Sequence, residues 1–244
     1  MLNVGRTDNR PTISEWPVRI WNMEELPPQY EAQIRAWIRE DFGSYDFVYA
    51  PKRSTNAESF DYLFGYGNDR IIYIREQSER GEKNRYGECG RQTVQLRRQQ
   101  VKKVLTMREL LNARITLQFD GQNGRQELQF PYIPSVYYLY DPFLNWVLGL
   151  NKEFIPFAAE QASPRPEKLY HESLAMFNYS LGAYRLGSGF SEYRYESVQH
   201  RCRWMPWKKT LEEWLDIRME RGTFELHSFG YLTECGYQIL ENTN

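Results

Sequence analysis

Imidazole and thiol are the side chains best suited to nucleophilic or metal chemistry near neutral pH. The chain holds His171, His200 and His227 together with Cys89, Cys202 and Cys235. The two types come close in sequence at His200-Arg201-Cys202. On a strand, positions i and i+2 would point to one face. A working Cys–His pair needs more than that: the base must reach the thiol, and a third group must orient the base. A zinc site needs three or four ligands at short spacing, and no CxxC or HxxxH arrangement occurs. A Cys/His enzyme is therefore one expectation and an incidental, partly exposed pair the other. No metal and no cofactor is expected.

Adjacent carboxylates occur at Glu24-Glu25, Glu40-Asp41 and Glu212-Glu213. General acid–base work needs two carboxyl groups in unequal environments. These pairs read instead as helix ends or amphipathic edges, where acids favour the helix dipole or water. Ser188 lies in Leu-Gly-Ser-Gly-Phe, which is not a nucleophile elbow. Gly65-Tyr66-Gly67 and Gly187-Ser188-Gly189 lack the lysine or third glycine of a phosphate loop.

Residues 79–103 are locally basic. Arg80, Lys83, Arg85, Arg91, Arg97, Arg98, Lys102 and Lys103 stand against Glu79, Glu82 and Glu88. One reading is an anion site built on Arg85, Arg91, Arg97, Arg98, Lys102 and Lys103, for a phosphorylated ligand, an acidic partner or an anionic surface. The other is a solvated loop and edge strand, where positive charge blocks edge-to-edge pairing. The net charge of −1 over 244 residues gives no global pull toward DNA or an anionic membrane.

The elements that must position these groups follow from periodicity. The chain is 41% hydrophobic and 26% charged, a globular composition. Aromatics reach 16%, with 18 tyrosines, which suits half-buried sheet faces or an aromatic platform for a ligand. Widely spaced cysteines in odd number favour reduced thiols. The first residues lack the roughly 7–15-residue apolar core of a signal peptide. No run nears the ~20 apolar residues of a membrane span. The expected location is the cytoplasm.

Tyr30, Ile34, Trp37, Ile38 and Phe42 mark one apolar helix stripe over residues 27–42, following an irregular arm with Pro11 and Pro17. Strands are expected at 45–49, 61–66, 71–74, 93–97 and 101–105, with a capping box at Thr106 and Glu109 starting a helical turn. The clearest hairpin spans 112–132. Ile115, Leu117 and Phe119 alternate on one side of Asp-Gly-Gln-Asn-Gly, and Leu128 and Phe130 on the other. Asp141-Pro142 then reads as an N-cap and first helical position. Ile115, Leu117, Phe119, Leu128, Phe130, Phe143, Trp146 and Val147 are the expected core.

Residues 162–166 read as a linker. Over 170–184 a seven-residue repeat favours helix, with a strand as the alternative. Further strands are expected at 190–198, in a hairpin over 215–226 turning at Arg221-Gly222, and in a final strand interrupted at Cys235-Gly236.

From Asp69 onward, the strands through Ile71–Ile74, Val94–Leu96 and Val101–Leu105, the hairpin, and the run Tyr140-Asp141-Pro142-Phe143-Leu144-Asn145-Trp146 resemble bacterial pleckstrin-homology-like domains. The resemblance covers residues 45–150. It implies a bent antiparallel sheet closed by a C-terminal helix, and a binding or assembly module with no transferable site residues.

The expected fold is therefore α+β. An arm and helix (1–44) precede a partly closed, helix-capped barrel (45–150) and an aromatic-rich, β-containing extension (151–244). The expected function is a non-catalytic binding or assembly module that meets a protein partner or a second copy of itself. Anion recognition is the alternative, and peripheral contact with an anionic surface is compatible with it.

Overall fold

The computed structural model describes residues 15–38, 41–53, 60–76, 91–121, 124–160, 166–201 and 209–240. The chain divides into two compact units, Met1–Arg98 and Gln99–Asn244.

The first unit is a five-stranded antiparallel meander with one helix. Strands β1 (Val18–Ile20), β2 (Asp46–Ala50), β3 (Tyr62–Gly67), β4 (Arg70–Glu76) and β5 (Arg91–Arg97) neighbour one another in chain order. Helix α1 (Pro28–Ile38) buries Tyr30, Ile34 and Ile38 from its apolar stripe. They join Ile20, Phe47, Leu63, Ile72 and Ile74 in one core. β3 is buried at every position, so both its faces are apolar and alternation is absent from its sequence. Asn68 and Asp69 both take positive φ, the combination that a two-residue hairpin between right-twisted strands requires. The Tyr30 and Tyr49 hydroxyls donate to the two carboxylate oxygens of Asp61, which ties α1 and β2 to the entry of β3.

The second unit holds a seven-stranded antiparallel sheet. Its strands are β6 (Val101–Glu109), β7 (Asn112–Gly121), β8 (Gly124–Tyr132), β9 (Glu192–Arg201), β10 (Lys209–Met219), β11 (Gly222–Phe229) and β12 (Leu232–Ile239). The spatial order is β8-β7-β6-β12-β11-β10-β9. Two meanders, β6–β8 and β9–β12, are thus fused along a seam where β6 pairs with β12.

The connection between the meanders is helical: a 3-10 segment Pro134–Leu139, α2 (Asp141–Val147), α3 (Pro156–Glu160), α4 (Glu167–Glu172), α5 (Leu174–Tyr179) and a second 3-10 segment Ser180–Leu186. That second segment lies against the sheet, and a Cβ on Gly182 would sit 3.0–3.1 Å from the Tyr237 hydroxyl and the Phe224 ring. Arg185 in the same segment is buried. It donates to Asn145 Oδ1 at 2.9 Å and Asp141 Oδ1 at 2.7 Å, both on α2.

The α+β class, the 112–132 hairpin and the 215–226 hairpin agree with expectation. Residues 170–184 are helical and not a strand, but they form two short helices broken at the extended Ser173 and then a 3-10 segment, where a single helix is expected. The barrel does not agree with expectation. Strands from residues 45–150 fall into two separate sheets, and neither closes among the described residues. The unit boundary at Arg98 falls inside that span.

Thr106 starts no helical turn. It sits within β6, where ladder bonds to β7 and β12 outweigh a four-residue capping pattern. β12 runs unbroken through Cys235 and Gly236, because neighbours on both sides hold a glycine that a lone hairpin would not. Asp141 lies inside α2, with Tyr140 as its cap. Trp146 is half-buried, while Ile115, Leu117, Phe119, Leu128, Phe130, Phe143 and Val147 are core. β1 and α3 are too short to show a period. The linker reading falls on 162–165, outside the described residues, and on Pro166, which caps α4.

Candidate functional site

Side chains alternate across the seven-stranded sheet. One row of facing positions, Leu215, Leu226, Cys235, Thr106, Ile115 and Phe130, belongs to the helix-covered face. The next residues along each strand point the other way. They form the rows Trp214, His227, Glu234, Met107, Arg114 and Asp216, Glu225, Gly236, Leu105, Thr116. These ten residues line a cavity of about 280 Å³ on that second face, with Thr106, Leu226 and Cys235 contributing to its floor.

Gly236 makes the depression. It lies at the seam, opposite Glu225 on one side and Leu105 on the other. A Cβ there would come within 3.1 Å of Glu225 Oε2, 3.2 Å of Lys103 Cε and 3.4 Å of Leu105 Cδ2. Lys103 and Glu225 form an ion pair that closes one end. The Trp214 indole and His227 imidazole stack with centroids 5.5 Å apart and planes 13° from parallel, forming an aromatic wall. Leu105 and Met107 give the apolar part of the opposite wall.

A carboxylate relay runs along the cavity rim. Glu212 meets His227 Nε2 through Oε1 at 2.9 Å and His200 Nε2 through Oε2 at 2.6 Å. His227 Nδ1 lies 3.6 Å from Glu234 Oε2. The hydrogen bond from His227 holds the Glu212 carboxyl below its usual range; loss of solvation opposes it, and the hydrogen bond from His200 adds a smaller lowering.

Asp216 is shifted the other way. Burial first, then the neighbouring Glu225 carboxylate, raises it. Asp216 is nonetheless exposed, and the charges of its cross-strand neighbour Arg194 and of Lys103 oppose the rise. Across the cavity the buried Nε of Arg114 has no partner among the described residues.

Cys235 meets the cavity through its backbone, since alternation turns its side chain to the helix-covered face. Burial pushes that thiol up to about 11, so it is protonated at neutral pH.

No family model, curated protein or solved structure matches the chain.

The residues singled out from sequence are placed as follows. His200 is on β9, bonded to Glu212 and edge-on to Phe229. His171 is on α4, against Tyr170. Cys89, Cys202 and Arg85 lie outside the described residues. Arg91 pairs with Glu76 at 2.7 Å and Arg98 with Asp69 at 3.3 Å, in the first unit. Arg97 ends β5, directly opposite Arg70. Lys102 and Lys103 belong to β6 in the second unit, where Lys103 holds Glu225.

Among the described residues no group of three or more His, Cys, Asp or Glu side chains is arranged to hold a metal ion. No described helix is long and apolar enough to cross a membrane. Sequence reasoning missed Arg114, Trp214, Asp216, Glu225, Glu234 and Gly236. The usable signal is the set of polar residues alternating with core positions on β10 and β11, Trp214-x-Asp216 and Glu225-x-His227. Nothing in the sequence indicates that β6 and β12 would bring Arg114 to the same face.

Proposed function

We propose that the chain is a non-catalytic binding module whose ligand seat is the cavity over the β6–β12 seam. The observation that carries this reading is the cavity itself. It is a concave, partly apolar space of about 280 Å³ with a few convergent polar groups, one of which, the buried Nε of Arg114, lacks a partner among the described residues. Ligand sites have this make-up. The protonated, inward-facing Cys235 thiol also argues against nucleophilic use of this surface.

The test is a screen of small neutral, cationic, anionic and zwitterionic compounds by amide chemical-shift mapping, with Gly236→Val as control. The backbone at Gly236 does not require positive φ, and the atoms a Cβ would meet are mostly the ends of flexible side chains. The variant should keep the fold and fill the floor. Shifts clustered on β6, β11 and β12 in the native chain and absent in the variant are expected. A panel that perturbs none of these strands would overturn the reading.

Self-association is a second reading, favoured by one observation. The β6–β7 turn and the β11–β12 turn are neighbours, because Glu109 pairs with Leu232. They expose Leu110, Leu111 and Tyr231 at 66%, 76% and 76%. Leu110 also holds φ at 42°, a conformation unfavourable for leucine. Light scattering coupled to size exclusion tests it. A larger species that Leu111→Ser dissolves is expected, and a monomer at every concentration counts against it.

A further inference from the structure

We infer that the cavity takes a small monocarboxylate with an aromatic or branched apolar body, its carboxylate held by Arg114 and its body lying on Leu105 and Met107; this rests on the cavity being the ligand seat. A volume of about 280 Å³ is small for a ligand pocket and suits a compact molecule. The charge such a molecule carries follows from the charges that line the space.

Each carboxylate lining the cavity has a cation or a ring nitrogen near it. Glu225 holds Lys103. Asp216 has the charges of Arg194 and Lys103 beside it. Glu234 Oε2 lies 3.6 Å from His227 Nδ1. Arg114 is the exception. Its Nε is buried with no acceptor, and its guanidinium enters no ion pair among the described residues. It faces Pro131 on β8 and Met107 on β6, so no acid stands directly across from it on either side. Glu109, diagonal to it on β6, is exposed and does not pair with it. A cation that is partly withdrawn from water and lacks a counter-ion is costly, and an incoming anion relieves that cost.

Carboxylate is the matching anion, because the guanidinium offers it two parallel donors in a fixed fork. A phosphate monoester has similar acceptors but would bring nearly two negative charges into a space also lined by Asp216, Glu225 and Glu234. A single charge is therefore selected. The apolar body has its place within one strand step of the guanidinium. Met107 lies directly across from Arg114 and Leu105 diagonally, on the same face of the sheet. Gly236 faces Leu105 from β12 and leaves the floor open where a larger side chain would stand. No second charged group has to be reached across the sheet.

The experiment is an amide chemical-shift titration of the full chain with phenylacetate. Phenylacetamide, phenethylamine and phenyl phosphate serve as uncharged, cationic and more highly charged comparison ligands, against native protein, Arg114→Gln and Arg114→Lys. Phenylacetate should shift Leu105, Met107, Thr116 and Gly236. It should bind about tenfold or more tightly than each of the other three, the margin of a hydrogen bond to a charged group. In Arg114→Gln the preference for carboxylate over amide should vanish while the weak amide binding stays as it is. Arg114→Lys should keep part of the preference, since it retains the charge without the fork. The amide affinity reports whether the cavity is intact in each variant, and thermal melts monitor the fold.

An amide that binds as well as the carboxylate would overturn the inference, as would an Arg114→Gln variant that keeps the preference, or phenylacetate shifts that fall away from β6 and β7. If phenethylamine or phenylacetamide shifts cavity resonances while phenylacetate does not, the cavity remains a ligand seat and the carboxylate assignment falls. If no probe shifts Met107 or Gly236, both fall together.

Discussion

The imidazole of His227 lies flat against the indole of Trp214, and its Nε2 is held by Glu212. One carboxylate on β10 therefore fixes His227 of the aromatic wall on β11 as well as the His200 ring on β9. Stacking places the imidazole beside a fluorophore. Glu212→Gln should loosen both rings and shift the indole emission of the folded chain. An emission spectrum identical in the two proteins would argue that Glu212 does not position His227.

The same carboxyl sets an acid limb of stability. Its folded value is depressed, so its contribution is present above the ordinary glutamate range near 4.5 and is lost as pH falls through the depressed value. Urea denaturation between pH 6 and pH 3 should show a steeper loss for the native chain than for Glu212→Gln. Equal slopes would remove the linkage.

The tyrosines set an alkaline limb. Tyr30, Tyr49, Tyr66, Tyr73 and Tyr237 are all raised, chiefly by burial, and burial pushes Tyr132 up to about 12. Groups raised in the folded chain contribute stability that is complete below the unfolded phenol value near 10 and lost as pH rises beyond it. Absorbance at 295 nm should show the signal of the buried tyrosines appearing only on unfolding. A single wave containing every tyrosine near pH 10 would contradict the buried assignment.

Asp61 should be worth more than an ordinary half-buried acid, because two phenols depend on it. Asp61→Ala leaves two hydroxyl donors without their acceptor, at roughly 2–4 kcal/mol in all. Chemical denaturation should register that loss, while Asp61→Asn, which retains one acceptor oxygen, should cost less.

Arg185 joins the second 3-10 segment to α2 through Asp141 and Asn145. Its forked donors are matched to both, so lysine is a poor substitute. Removing one partner of a mostly buried pair costs roughly 3–5 kcal/mol, less here because Asp141 is partly exposed. Arg185→Ala should lower the midpoint of urea unfolding, and Arg185→Lys should recover only part of it.

The local parts of this architecture are legible in the chain. Ile115, Leu117 and Phe119 alternate on one side of a turn, and Leu128 and Phe130 answer on the other, so register and buried face follow directly. Tyr30, Ile34 and Ile38 do the same for α1 at helical spacing. What is not legible is non-local. A strand at 61–66 is expected, but not its surroundings: Tyr62, Leu63, Phe64 and Tyr66 are buried on both faces of β3, so no alternation marks which face meets the core. The cavity depends on Arg114, Gly236 and Asp216 coming to one surface through the β6–β12 pairing, and no local pattern encodes which edges will meet. His200 and Cys202 attract notice as neighbours in sequence, whereas His200 works with Glu212, its diagonal neighbour across the β9–β10 pair.

The seam between the two meanders also dictates when the cavity can exist. Its closing ion pair joins Lys103 to Glu225, 122 positions apart, and contacts of such long range are the slow ones to form. During synthesis, β6, β7 and β8 emerge with an unpaired edge that waits for the last strand of the described chain. A ligand held across the seam would bind only the closed sheet and so draw late assembly to completion by mass action.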